Sequence, residues 1–76
     1  MKQINTIIGE HIKLVRIKHK KSRGDVADAI KLSQQQIQKY ELGTNRISLQ
    51  KAYQIADYLK VDIVDLIPNE LRNHLN

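Results

Sequence analysis

A cluster of long polar side chains at positions 34 to 39 is the part of the sequence best equipped for recognition chemistry. It contains Gln34, Gln35, Gln38 and Lys39 around a single isoleucine, Ile37. A glutamine amide holds a donor and an acceptor in one plane and can pair with N6 and N7 of adenine, and a lysine ammonium can donate to N7 and O6 of guanine. The cluster therefore suits hydrogen bonding to the edges of bases.

The flanking residues indicate that this cluster lies on a short helix. Ser33 is a typical N-cap, and Gly43 suits the left-handed position at which many helices end. If Ile37 faces the core, a rotation of about 100° per residue places the side chains two positions before and after it on the outward face. We therefore predict a helix from Gln34 to Tyr40, helix 3, with a polar outer surface.

Apolar periodicity predicts four further helices, two of which follow the N-cap candidates Ser22 and Ser48. They are helix 1 from Ile7 to Lys18, helix 2 from about Arg23 to Ile30, helix 4 with apolar residues recurring from Leu49 to Leu59, and a C-terminal helix over about 62–75. Tyr40 and Tyr53 lie in apolar stripes and are interpreted as core residues. Since Lys31 and Leu32 alone separate helices 2 and 3, the pair suits a helix-turn-helix unit over about 23–42.

The composition favours a soluble protein with a polyanionic partner. The 76 residues include 13 Lys+Arg and 8 Asp+Glu, which gives a formal charge of +5 and a pI near 9.7. The densest basic stretch runs from Lys18 to Arg23. The absence of cysteine rules out disulfides and thiolate metal sites, and the lack of a long apolar run argues against a membrane span or secretory signal. We expect a cytoplasmic protein that binds nucleic acid.

Catalytic constellations are missing from the sequence. His11, His19 and His74 are too scattered to form a ligand set, and we interpret them as surface or edge residues. The serines look like helix caps, and no glycine-rich phosphate loop is present. We therefore predict no enzymatic activity, no metal and no cofactor.

Over roughly Ile8 to Leu66 the chain resembles the Cro/Xre-type helix-turn-helix family, which includes the lambdoid phage repressors. The residues that carry the resemblance are Ile8-Gly9, Ile12, Val15-Arg16, Val26-Ala27, Ile30, Leu32-Ser33-Gln34, Ile37, Tyr40-Glu41, Gly43, and Ser48-Leu49 through Ile55-Ala56 and Leu59. The resemblance implies an all-α, five-helix, lambda-repressor-like domain that occupies residues 1–76 as a single unit.

The resemblance also implies roles for individual side chains. Base-contacting positions of the family fall on Gln34, Gln35 and Lys39, and we add the flanking Gln38. Phosphate contacts are expected at the two helix starts and in the loop before helix 4, that is at Ser22, Arg23, Ser33, Thr44, Asn45 and Arg46. Structural roles fall on Arg16, Ala27, Ile30, Ile37, Glu41 and Gly43, with Arg16 and Glu41 paired between helix 1 and the end of helix 3.

Three positions depart from the family pattern. Lys31 replaces a glycine that often adopts a left-handed turn conformation, which implies a strain on the order of 1 kcal/mol. Lys21 stands where an apolar residue usually fills the gap between helices 1 and 2, and its aliphatic stem can cover that gap. Ile47 stands where a proline commonly precedes helix 4.

Two functions are compatible with these features. The first is a sequence-specific transcriptional regulator, a dimeric repressor whose recognition helices enter major grooves about 34 Å apart on a pseudo-palindromic operator. Its homodimer contact is expected in the C-terminal helix, at Ile63, Val64, Leu66 and Ile67. The alternative is an antitoxin-type module that binds a protein partner and uses its helix-turn-helix for autoregulation.

Overall fold

The computed structural model describes residues 3–68, which form four α-helices and one short 3-10 helix with no β-strand among them. The elements are α1 (Ile4–Lys18), α2 (Arg23–Ile30), α3 (Gln34–Leu42), α4 (Leu49–Leu59) and the 3-10 helix (Ile63–Leu66). The predicted bounds of helix 2 and the predicted start of helix 3 are confirmed. In the described part of the chain no helix is long and apolar enough to cross a membrane.

Three serines cap the helices as the sequence predicts. Ser33 and Ser48 each accept a hydrogen bond from the backbone N–H three residues on, at 3.0 and 3.1 Å. Ser22 forms a reciprocal box with Asp25: its Oγ accepts from the Asp25 N–H at 3.0 Å, and its own N–H donates to Asp25 Oδ2 at 2.9 Å. The hydrogen bond from the Ser22 N–H lowers the pKa of Asp25. These caps define where α2, α3 and α4 begin.

The helices enclose one apolar cluster, to which α2 and α3 both contribute. Its buried members are Ile12, Val26, Ala27, Ile30, Ile37, Ile55, Ala56, Leu59 and Leu66. Helix α1 packs on α3, α2 packs on both α3 and α4, and the 3-10 helix contacts α1 and α4. Ile37 and Glu41 are the buried residues of α3, and Gln34, Gln35, Gln38 and Lys39 on its other side are exposed.

The turns between helices depend on left-handed backbone conformations. Lys31, which ends α2, has φ 59° and ψ 44°, so the predicted left-handed turn is confirmed for this non-glycine residue. Lys20 and Lys60 adopt similar positive φ values of 58° and 60°, which the sequence had not indicated. Each costs roughly 1 kcal/mol relative to glycine, because the Cβ approaches the following carbonyl. Gly43 closes α3 with φ 79°, as expected from its position.

Both ends of the described chain differ from the sequence prediction. Helix α1 begins at Ile4 rather than Ile7, and its first turn lies against the bend at Gly43. Over the predicted C-terminal helix the described residues contain the four-residue 3-10 helix, and residues 69–76 lie outside them. Pro68 opposes a continuous helix here, because it lacks an N–H and its ring disfavours a helical residue before it. Within residues 62–68, the described part of the predicted fifth helix, the chain therefore forms a 3-10 helix and no α-helix.

Two predicted side-chain locations are wrong. Leu66, predicted at a dimer contact, is 2% exposed and belongs to the chain's own core. Tyr53, interpreted as core, is 53% exposed. The inward side of α4 is set by Ile55 and Leu59, and a rotation of about 100° per residue turns Tyr53 well away from that side. Tyr40 does pack against the core, partly buried.

Candidate nucleic-acid interface

The outer face of α3 presents a group of long polar side chains. Gln34, Gln35, Gln38 and Lys39 are all exposed, whereas Ile37 is 1% exposed. The capped N-terminus of α3 leaves first-turn N–H groups without partners inside the helix and gives that end a partial positive charge. The four predicted base-contacting residues therefore share one solvent-facing surface.

The first turns of α2 and α3 lie next to each other. A Cβ built on Gly24, in the first turn of α2, would be 3.1 Å from the Nε2 atom of Gln34. Ser22 and Ser33 cap these two helices through their Oγ atoms. A hydroxyl that accepts a backbone hydrogen bond can still donate its own proton to an anion. Two helix N-termini and two hydroxyl donors thus lie close to the polar face of α3.

A tight loop follows α3 on the way to α4. The N–H groups of Thr44 and Asn45 both donate to the carbonyl oxygen of Lys39, at 3.0 and 3.3 Å. A Cβ on Gly43 would lie 2.7 Å from the Cα of Thr6, so glycine is needed both for its φ and for this contact. The side chains of Thr44, Asn45 and Arg46 are exposed. The loop is therefore held at the C-terminal end of α3 with its polar groups in solvent.

The predicted ion pair between Arg16 and Glu41 is present and almost fully buried. The Nε atom of Arg16 donates to Glu41 Oε2 at 2.7 Å, and its Nη2 atom donates to Glu41 Oε1 at 3.3 Å. The side chains are 9% and 1% exposed. Arg23, assigned from the sequence to a phosphate contact, also reaches this carboxylate, with its Nε atom 2.9 Å from Oε1. No local sequence pattern indicates this contact, because 18 residues separate its two partners.

His11 and His19 line one cavity together with Val61 and Asp65. The Nε2 atom of His11 is 2.8 Å from the backbone oxygen of Asp65 and ties α1 to the 3-10 helix. His19 is partly buried at the end of α1, and His74 lies outside the described residues. Among residues 3–68 there is no cluster of three His, Asp or Glu side chains that could hold a metal ion.

Comparison with known proteins identifies the family. A sequence model described as helix-turn-helix matches residues 12–66, from within α1 to the end of the 3-10 helix. The chain belongs to the Cro/Xre-type helix-turn-helix family. The matched segment contains all of α2, α3 and the loop that follows, so it includes every residue proposed above for base or phosphate contact.

Two relatives in this helix-turn-helix family are uncharacterized HTH-type transcriptional regulators, from Rickettsia prowazekii and Rickettsia conorii. Each is 36% identical to this chain over 63 residues. The aligned segment covers 83% of this chain but 48% and 50% of the two relatives. The chain thus spans about half the length of the curated relatives that it matches.

Solved structures of regulators have the same fold. The clp gene regulator ClgR from C. glutamicum superimposes with a TM-score of 0.82 at 15% identity, covering 87% of this chain and 86% of that one. The restriction-modification controller protein C.AhdI from Aeromonas hydrophila gives 0.77 at 19% identity, with 82% and 94% covered. At these identities the similarity concerns the helical arrangement alone.

Proposed function

We propose that this chain is a sequence-specific DNA-binding regulator that places α3 in the major groove. The observation that supports this most directly is the exposed face of three glutamines and a lysine beside two capped helix N-termini. An α-helix fits the major groove, where every base pair presents a distinct pattern of donors and acceptors. The family membership makes duplex DNA the natural partner for this face.

The side chains divide into two groups by the part of DNA that they reach. Base edges are assigned to the outward side chains of α3, Gln34, Gln35, Gln38 and Lys39. Backbone phosphates are assigned to Ser22, Arg23, Ser33, Thr44, Asn45 and Arg46, which lie at helix starts and in the loop. The first group discriminates between sequences, and the second holds the protein in register.

We further propose that the regulator is a cytoplasmic dimeric repressor that acts by occupying a pseudo-palindromic operator. The support is an apolar surface formed by α4 and the 3-10 helix. Leu49, Tyr53 and Val64 are 67%, 53% and 50% exposed there, and the partly buried Ile63 and Ile67 adjoin them. Apolar groups concentrated on one surface favour contact with a second copy. This surface replaces the predicted contact at Leu66.

Alanine substitution distinguishes base contacts from phosphate contacts. Gln35→Ala should weaken binding to the best duplex enriched from a randomised library by about 1 to 3 kcal/mol and leave binding to random duplex nearly unchanged. Arg46→Ala should weaken both and reduce the dependence of log Kd on log salt concentration. Titration of labelled duplexes at two salt concentrations measures both effects.

Gln54→Ala is the matched control, because Gln54 is an exposed glutamine on α4 rather than on α3. Its affinity for either duplex should equal that of the unmodified chain. Equal losses on the enriched and random duplexes for Gln35→Ala would contradict the assignment of this residue to base recognition.

A further inference from the structure

One buried carboxylate accepts hydrogen bonds from two arginines that lie on different helices. Glu41, near the end of α3, is 1% exposed and accepts hydrogen bonds from both Arg16 and Arg23. Two guanidinium groups and one carboxylate leave this cluster with a net charge of +1. Glu10 and Lys13 line the same cleft as Arg23 and add one charge of each sign, so the surplus stays at +1 and favours an anion.

The two arginines differ in how many of their N–H groups donate hydrogen bonds within the protein. Arg16 is 9% exposed, and in addition to its bonds with Glu41 its Nη1 atom donates to the carbonyl of Lys21 at 2.8 Å. Arg23 is 34% exposed, and its Nε donates a hydrogen bond to the Glu41 carboxylate. A guanidinium carries five N–H donors in a rigid plane. Because the contact with Glu41 uses Nε, the donors on Nη1 and Nη2 are available to a second partner.

Arg23 lines a cleft between α1, the start of α2 and the end of α3. The cleft has a volume of about 340 Å³ and is lined also by Thr6, Glu10 and Lys13 of α1. Arg23 is the first residue of α2, directly after its N-cap, where first-turn N–H groups favour an anion. A Cβ on the next residue, Gly24, would approach the amide of Gln34, so this turn lies next to the start of α3.

We propose that Glu41 is a positioning residue that holds the guanidinium of Arg23 so that its outer edge binds a phosphate of the DNA backbone. This inference rests on the proposed function and adds to it a fixed geometry for one phosphate contact. A flexible surface arginine must lose side-chain entropy when it binds, whereas Arg23 is already oriented by the carboxylate. Arg23 thus belongs to both the buried ion-pair cluster and the DNA interface.

A double-mutant cycle in DNA binding tests this assignment without knowledge of the operator. The unmodified chain, Arg23→Ala, Glu41→Gln and the double variant are titrated by anisotropy with a labelled mixed-sequence duplex of about 20 base pairs, across a range of salt concentrations. Arg23→Ala should weaken binding about tenfold and make the slope of log K against log salt shallower by about 0.9. In the Glu41→Gln background the same substitution should cost about twofold, because the guanidinium is no longer oriented. The cycle cancels the general effect of removing one negative charge, which is equal in both backgrounds.

Two further variants keep the test decisive if Glu41→Gln is poorly folded by circular dichroism. Arg23→Lys leaves the Arg16–Glu41 pair intact and retains the charge, but an ammonium cannot contact carboxylate and phosphate through opposite edges of one plane. The Arg23→Lys chain should therefore bind duplex almost as weakly as the Arg23→Ala chain. Lys60→Gln removes one charge at the far end of α4 and should change binding little.

Three outcomes would overturn the inference. One is an equal loss for Arg23→Ala with and without Glu41, and another is an Arg23→Lys chain that binds like the unmodified one. In both cases the unmodified chain still binds duplex, so the proposed function stands and the positioning role alone is lost. The third is an unmodified chain that binds no duplex at low salt, which overturns the proposed function and this inference together.

Discussion

Replacing Gly9 with alanine is expected to lower the free energy of unfolding by at least about 3 kcal/mol. Gly9 lies where α1 crosses α3, and a Cβ added there would be 2.2 Å from the carbonyl oxygen of Tyr40 and 2.6 Å from that of Glu41. Both atoms belong to the backbone of α3, so relief requires the two helices to separate. Helix propensity acts in the opposite direction, since alanine favours a helix over glycine by about 1 kcal/mol. Urea denaturation followed by circular dichroism measures the balance.

Gly24→Ala provides the matched control for this steric effect. Its Cβ would come no closer than 3.1 Å to the amide end of Gln34, a flexible side chain that can move aside. This variant should be as stable as the unmodified chain or more stable. If the free energy of unfolding of Gly9→Ala lies within about 1 kcal/mol of that of the unmodified chain, the close crossing of α1 and α3 is wrong.

Removal of the buried carboxylate is the second substitution with a large expected effect. Glu41→Ala should destabilise the fold by about 3 to 5 kcal/mol, because the 9%-exposed guanidinium of Arg16 loses its counter-charge and two hydrogen bonds. Arg23 should contribute less to the loss, since it is one-third exposed and can be solvated. The measurement is again urea denaturation at neutral pH.

Replacing both buried partners together distinguishes two causes of instability, the loss of packing and the burial of an unpaired charge. Arg16→Met combined with Glu41→Leu should recover stability to within about 1 kcal/mol of the unmodified chain or exceed it, because apolar side chains of similar volume avoid the desolvation cost. A double variant as unstable as Glu41→Ala alone would show that the charge of Arg16 is not what makes the single substitution costly.

Features set by local chemistry were predictable from the sequence. The serine caps determine where α2, α3 and α4 begin, and a cap needs only the residue itself and the N–H groups a few positions on. The left-handed turn at Lys31 was implied by the family resemblance, in which a glycine often holds this position. The outward direction of Gln35 and Lys39 followed from helical geometry once Ile37 was placed in the core.

Features that depend on distant contacts were not predictable in the same way. The shared use of Glu41 by Arg23 joins residues from two helices, and an arginine at a helix start looks the same whether it faces solvent or a carboxylate. Leu66 resembled a surface contact because the sequence does not show how much apolar area α1 and α4 can cover. Tyr53 was misplaced because its spacing from Ala56 fits a stripe whose true centre lies at Ile55 and Leu59.

The proposal of sequence-specific DNA recognition is tested most directly by selecting bound duplexes from a randomised library. The unmodified chain is incubated with the library at near-physiological salt, and the bound fraction is amplified and sequenced over several rounds. We expect an enriched motif of two inverted half-sites whose centres lie about 34 Å apart along the helix axis. Recovery of duplexes with no common sequence, bound weakly and released by modest salt, would contradict the claim.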